Sequence, residues 1–217
     1  MSRLTKPDYW DDAVRELSRR DGVLGGVIEQ CAPGHLLTRG DPFQTLARSI
    51  VGQQISVKAA QSVWNRFAAA CRDVTPQRVS RMRSSTLRAC GLSERKSEYL
   101  KDLARHFVTH EVDPARWPAL DDDAVIAELC AVRGIGRWTA EMFLIFNLMR
   151  PDIYPLDDIG LLRGIALHYR EFGAPDGALL SKVTRAQSAE IGERWRPWRT
   201  VATWYLWRSL DPLPVEY

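Results

Sequence analysis

Apolar residues recur along this chain at intervals of three and four, the spacing that lines one face of an α-helix. Between Asp41 and Ala70 the positions Phe43, Leu46, Ala47, Ile50, Val51, Ile55, Val57, Val63, Trp64 and Phe67 follow that rhythm, and Ser56 or a neighbour stands where a second helix needs a cap. A further helix begins at the Gly91-Leu92-Ser93 turn with Ser93 as N-cap and continues through Leu103 and Phe107. Asp121-Asp122-Asp123 loads acid onto the start of the next, where carboxylates complement the helix dipole. That helix ends at Arg133-Gly134-Ile135-Gly136, and another runs from about Arg137 to Leu148, stopping at Arg150-Pro151. Asp158 opens a helix towards Tyr169, residues 173–177 read as turns, and from Ser188 onward Ile191, Trp195, Trp198, Val201, Ala202, Tyr205 and Leu206 keep helical register. No stretch alternates apolar and polar residues long enough to make a strand, so the fold class is all-α.

Composition narrows this picture only slightly. The 217 residues are 45% hydrophobic and 26% charged, ordinary for a globular chain with a buried core. The longest apolar runs, such as Met142-Phe143-Leu144-Ile145-Phe146, are too short to cross a bilayer, and MSRLTKPDYWDD has no apolar stretch behind its basic residues to make a secretory signal. A cytoplasmic location, in or near the nucleoid, is therefore expected, with no membrane partner. A net charge of +3 permits a nucleic-acid partner without demanding one. Cys31, Cys71, Cys90 and Cys130 form no CxxC pair, which argues against zinc, an iron–sulfur cluster and a disulfide framework, and reads as reduced, mostly buried thiols. His35, His106, His110 and His168 form no spaced set. Eight tryptophans are many for this length, and most are expected to fill the core.

The chemistry-bearing segment is Val132-Arg133-Gly134-Ile135-Gly136-Arg137-Trp138-Thr139-Ala140. Two glycines around one apolar residue allow a tight reversal between helices, since glycine accepts positive φ and lets other groups come close. Ile135 can plug back between the helices, while backbone N–H groups of the turn and of the following helix face an anion such as a DNA phosphate. Asp158 follows Trp138 by 20 residues, within Tyr154-Pro155-Leu156-Asp157-Asp158-Ile159-Gly160. Taken by itself, Asp158 reads as an N-cap, worth about 1 kcal/mol.

These residues together resemble the helix–hairpin–helix DNA glycosylase superfamily, most closely its bacterial 3-methyladenine DNA glycosylase II branch, in a compact form without that branch's N-terminal β-rich domain. The likeness runs from about Phe43 to Leu210 and includes the block from Leu46 to Val57, Gly91-Leu92-Ser93 with Lys96, and Arg194-Trp195-Arg196-Pro197-Trp198-Arg199. It implies two helical lobes around a DNA-binding cleft: residues 42–150, ending in the hairpin, and a discontinuous lobe of residues 1–41 with 151–217. It also implies that Asp158 is the catalytic carboxylate, Asp157 a less constant neighbour, and Trp138, Trp207 and Met142 the wall of a base pocket. Met142 stands where the family often has tyrosine. DNA contacts fall to Gly134, Ile135, Gly136, Arg137 and Thr139 of the hairpin and to Gln53, Gln54 and Ser56 of the turn that wedges into the duplex, with a polar Gln54 where relatives use leucine. Main-chain carbonyls of Cys130, Val132 and Ile135 match those that hold a structural Na+ or K+; no other cofactor is required. Trp138 stands where bifunctional relatives carry a Schiff-base lysine, and an indole cannot form an imine. The cysteines needed for the iron–sulfur branches are missing.

The expected activity is therefore monofunctional excision of alkylated purines from double-stranded DNA by base flipping and water attack, carried out by a monomer. Electron-rich indole faces favour a cationic alkylated base by about 0.5–2 kcal/mol per good contact, and one carboxylate can stabilise the developing oxocarbenium charge. The alternatives are a glycosylase for uracil, hypoxanthine or an etheno base, and a non-enzymatic helix–hairpin–helix DNA binder.

Overall fold

The structure is a computed structural model that describes residues 6–38, 40–169 and 183–210. Among these residues the secondary structure is helical, with no strand. In chain order the helices are α1 (Trp10–Arg20), α2 (Gly22–Cys31), α3 (Pro42–Gly52), α4 (Val57–Cys71), α5 (Pro76–Arg81), α6 (Ser84–Ala89), α7 (Glu94–Val108), α8 (Asp122–Cys130), α9 (Arg137–Phe146), α10 (Ile159–His168), α11 (Arg185–Arg194) and α12 (Arg199–Leu210), with one 3-10 turn at Trp117–Ala119. Side-chain caps set many of the starts: Asp41, Ser56, Ser93, Asp121 and Asp158 each accept backbone N–H groups two or three positions on. Asp21 and Thr75 do the same for α2 and α5, helices for which the apolar spacing gave no warning.

The chain divides into two compact units. One comprises the residues up to Thr38 and those from Leu144 onward; the other is the intervening segment to Phe143. In the first, α12 is buried at every position from Thr200 to Leu206 and packs against α1, α2 and α10, as befits a helix apolar on all sides. The two ends of the chain are stitched together by Asp21. Its Oδ1 caps α2, while its Oδ2 accepts the Tyr169 hydroxyl at 2.8 Å and the Trp195 indole N–H at 2.9 Å. In the second unit, α7 is the central element and packs against α3, α5 and α6.

Several details depart from the sequence reading. The boundary after the hairpin falls inside α9, between Phe143 and Leu144, because the residues beyond it have partners at the chain ends. Phe146 stacks on Trp207, and the Met149 carbonyl accepts the Tyr9 hydroxyl at 2.9 Å. The C-terminal register is also not continuous: α11 stops at Arg194 and α12 starts at Arg199, since Pro197 between them has no N–H to donate to a helix. Cys71 and Cys90 are buried, but Cys31 is only partly so and Cys130 is exposed; all four thiols are free. Trp10, Trp117 and Trp195 do fill the core, whereas Trp138 does not. Residues 173–177 lie outside the described residues.

Gly134 gives a direct test of the packing. Its φ is +89°, and a Cβ there would sit 2.2 Å from Cδ2 of Tyr99. Left-handed strain of roughly 1–2 kcal/mol and overpacking of roughly 1–3 kcal/mol together predict that Gly134→Ala loses about 2–5 kcal/mol. Gly136 faces open space, and Gly136→Ala should lose less than about 1 kcal/mol. Urea denaturation of the two variants checks the contrast.

Candidate active site and nucleic-acid contacts

The hairpin is built between α8 and α9. Ile135 is 4% exposed and plugs the turn into the core, as its apolar character between two glycines requires. Two of the turn's amides are already engaged: the Arg133 N–H donates to Asp102 Oδ2 at 2.9 Å, and that of Ile135 to the Val132 carbonyl at 3.1 Å. The open side of the turn is at Gly136, next to the start of α9, where a Cβ would meet nothing within 4 Å. Arg137 is exposed but held in ion pairs, its Nε 3.0 Å from Glu141 and its terminal nitrogen 3.3 Å from Asp123. Arg133 pairs with Glu98 at 3.2 Å, and Thr139 is half-buried in the first turn of α9.

The turn from Gly52 to Ser56 lies in the same unit as the hairpin. Ser56 is the cap of α4, with its hydroxyl accepting the Ala59 N–H at 3.3 Å. Gln53 faces inward, and its Nε2 donates to the Gly134 carbonyl at 2.8 Å. Gln54 is exposed at the tip with φ +59°, a left-handed conformation that side chains rarely adopt. Of the expected pair of contacts, one is therefore a strut to the hairpin and the other is the projecting residue.

Three residues of α7 hold both turns. Lys96 donates to the carbonyls of Val51 at 2.8 Å and Gln53 at 2.6 Å. The Tyr99 ring lies under Gly134, and Asp102 takes the Arg133 amide. A spacing of i, i+3, i+6 puts the three on one helix face. The sequence reading had noted Lys96 only as part of a motif and had missed Tyr99 and Asp102. That spacing is a signal, but without knowing what the face meets it carries no meaning.

Asp158 lies in the other unit, at the start of α10. Its Oδ1 accepts the Leu161 backbone N–H at 2.7 Å and the Trp207 indole N–H at 2.7 Å. Trp207 in turn stacks on Phe146, with ring centroids 5.9 Å apart and planes 14° from parallel. The carboxylate is thus held in one orientation by two donors at the start of α10. Such a group can stabilise a developing cation and order a water molecule. Asp157 is exposed and paired with Arg185 instead. Arg199, the last residue of the Arg194–Arg199 block, is a half-buried ion-pair partner of Asp152 at 2.7 Å.

Trp138 and Met142 stand one turn apart on α9. Trp138 is 45% exposed, an unusual position for so large an apolar ring, while Met142 is half-buried. Among the described residues no group of three or more histidine, cysteine and acidic side chains could hold a metal ion, and no helix is long and apolar enough to cross a membrane.

A helical hairpin of this form, with a carboxylate held at the head of a later helix, defines a helix–hairpin–helix repair protein. Residues 47–185 match the family described as HhH-GPD superfamily base excision DNA repair protein, and the chain belongs to that superfamily. It is 33% identical over 215 residues to DNA-3-methyladenine glycosylase 1 of Schizosaccharomyces pombe, an alignment that covers 96% of this chain and 89% of the relative. Among solved structures it matches the DNA-3-methyladenine glycosidase of Bacillus halodurans with a TM-score of 0.84 and 32% identity, covering 100% of this chain and 96% of that one. It also matches the S. pombe 3-methyladenine DNA glycosylase in complex with abasic DNA, with a TM-score of 0.74 and 30% identity over 95% of this chain and 98% of that one.

Gly160 leaves room for the indole that holds Asp158. A Cβ there would meet Trp207 Cδ1 at 2.9 Å and Asp158 Oδ1 at 3.1 Å. Glycine to alanine in a helix ordinarily stabilises by roughly 0.5–1 kcal/mol. Gly160→Ala is expected to reverse that sign and cost about 1–3 kcal/mol through overpacking; a gain in thermal or urea stability would contradict the packing described.

Proposed function

We propose that this protein is a DNA N-glycosylase of base excision repair that releases alkylated purines of the 3-methyladenine and 7-methylguanine type from double-stranded DNA. The observation that carries the reading is the Asp158 carboxylate, fixed by the Leu161 amide and the Trp207 indole at the head of α10, in a chain of this superfamily. The names of its relatives, 3-methyladenine glycosylases from yeast and Bacillus, support the lesion class. So does the exposed indole of Trp138, whose face attracts a cationic alkylated base more strongly than a neutral one.

In this reading the hairpin, at the open side of its turn around Gly136, takes a backbone phosphate without regard to sequence. Gln54 fills the space left by the flipped nucleotide, which offsets a flipping cost of a few kcal/mol. Trp138 and Met142, one turn apart on α9, offer an exposed indole and a thioether to the flipped base. Alkylation has already weakened the glycosidic bond, so a strong general acid is not needed. Asp158 stabilises the oxocarbenium-like sugar and orients the water that attacks it. The C–N bond breaks, the base leaves with its electron pair, and water adds to the sugar carbon and gives up a proton, leaving an abasic site.

Two further parts belong to this reading. The reaction is monofunctional, because the position open to a Schiff-base lysine holds Trp138. A monovalent cation fits the carbonyls of Cys130, Val132 and Ile135. That of Val132 accepts one bond, from the Ile135 amide, and a carbonyl oxygen has a second lone pair to offer a cation. The chemistry itself is assigned to the protein's own carboxylate and to water.

Asparagine caps a helix as well as aspartate does, so Asp158→Asn keeps the fold while removing the charge. Base release from methylated DNA is expected to fall by about 10²–10³ or more with binding retained, as measured by abasic-site formation and by gel shift. Variant activity equal to that of the wild type would sink the mechanism. Borohydride in the reaction is expected to trap no covalent enzyme–DNA adduct. Oligonucleotides that each carry one lesion, among them 3-methyladenine, uracil, hypoxanthine and an etheno base, check the substrate class.

A further inference from the structure

We propose that Lys96 is a positioning residue for base flipping: its ammonium group clamps the carbonyls of Val51 and Gln53 and so holds Gln54, the projecting residue, in its left-handed conformation. The proposal rests on the reading of the turn from Gly52 to Ser56 as the element that enters the duplex. An α-helix ends with carbonyls that have no partner within it, and each must find one. At the end of α3 the accounting can be followed atom by atom. The Ile50 carbonyl accepts the Gln53 N–H and that of Gly52 accepts the Ile55 N–H, both at 3.4 Å. These are long bonds, at the edge of what counts as one. By contrast, the carbonyls of Val51 and Gln53 receive Lys96 Nζ at 2.8 and 2.6 Å. The short, charge-assisted contacts at this turn are therefore those made by Lys96.

The residue that directly follows these anchor points is the one under strain. Gln54 has φ +59° without being glycine, a conformation that costs a side chain of this kind free energy unless its surroundings impose it. With Gln53 O fixed by Lys96 and the side-chain Nε2 of Gln53 fixed on the Gly134 carbonyl at 2.8 Å, the residue preceding Gln54 is held by both its main chain and its side chain. Lys96 is itself costly to place. Burial pushes its ammonium below the ordinary lysine range, and the two carbonyls replace part of the water it gives up. Its neighbours on the same face of α7, Tyr99 and Asp102, hold Gly134 and Arg133 of the hairpin. The one face of α7 consequently sets the distance between the phosphate-binding turn and the residue that enters the duplex. Lys96 is the member of that face that acts on the entering residue.

The test is a double-mutant cycle between Lys96→Met and Gln54→Ala in the full chain. Insertion is read with a duplex holding a tetrahydrofuran abasic analogue opposite 2-aminopurine, whose fluorescence responds when the gap is filled; excision kinetics on a methylated duplex are read in parallel. If Lys96 acts through Gln54, Lys96→Met lowers insertion and kcat/KM by about tenfold when Gln54 is present and by less than about twofold in the Gln54→Ala background. Affinity for undamaged duplex, which reports the hairpin, stays within about twofold in both. Lys96→Arg, which keeps two donors, should restore most of the loss. Equal losses in the two backgrounds, or no loss in either, would overturn the proposal. If Lys96→Met does not fold, Lys96→Gln carries the same cycle with one donor retained. The abasic analogue has no base to release, so this result stands apart from the lesion assignment: insertion without excision of any lesion would count against the function proposed above and leave the role of Lys96 intact.

Discussion

One face of α7 is the constraint on which the unit that carries the hairpin depends. Three side chains at successive turns reach two segments: a lysine takes the end of α3, while a tyrosine ring and a carboxylate take a glycine and the neighbouring backbone amide of the hairpin. None of these contacts is large in area. Each fixes a backbone rather than a side chain, and a fixed backbone is what contact with an evenly spaced phosphate chain requires. The glycine at position 134 follows from this arrangement, since nothing larger leaves room for the tyrosine.

In the other unit Asp158 joins folding and chemistry in one group. Its Oδ1 closes the start of α10 and receives an indole N–H. Capping and catalysis need not be rival explanations of such a residue: in the function proposed, the first serves the second. A carboxylate that must serve as a fixed charge benefits from having no rotameric freedom, and the cap removes that freedom before substrate arrives. Asp21 plays the matching structural part, since a unit made from both ends of a chain needs a group that belongs to each.

Much of this was legible in the sequence, and what was not had specific causes. The helical spacing around α3, α4, α7 and α12, the caps at Ser93 and Asp158, and the glycine hairpin were readable because each is a local pattern with a local cause. The short helices α5 and α6 lack the length for a period to declare itself. α1 carries charges at both ends and α2 a capping aspartate, signals weaker than those downstream. The break between α11 and α12 was hidden because tryptophans on either side of Pro197 happened to keep register. Within the candidate site, the family resemblance pointed to Asp158, Gln53 and Gln54, but the inward turn of Gln53 and the grip of Lys96 depend on segments more than 40 residues apart meeting in space. No spacing rule encodes that.

The two hairpin glycines answer to different judges. Gly134 is required by the protein's own interior, while Gly136 looks onto open space, where the proposed function puts a DNA phosphate. A survey of variants scored by folding alone would therefore mark the first as indispensable and pass the second as ordinary, although one three-residue motif contains both. The motif is a composite, half scaffold and half receptor, and its two halves are free to drift under separate pressures.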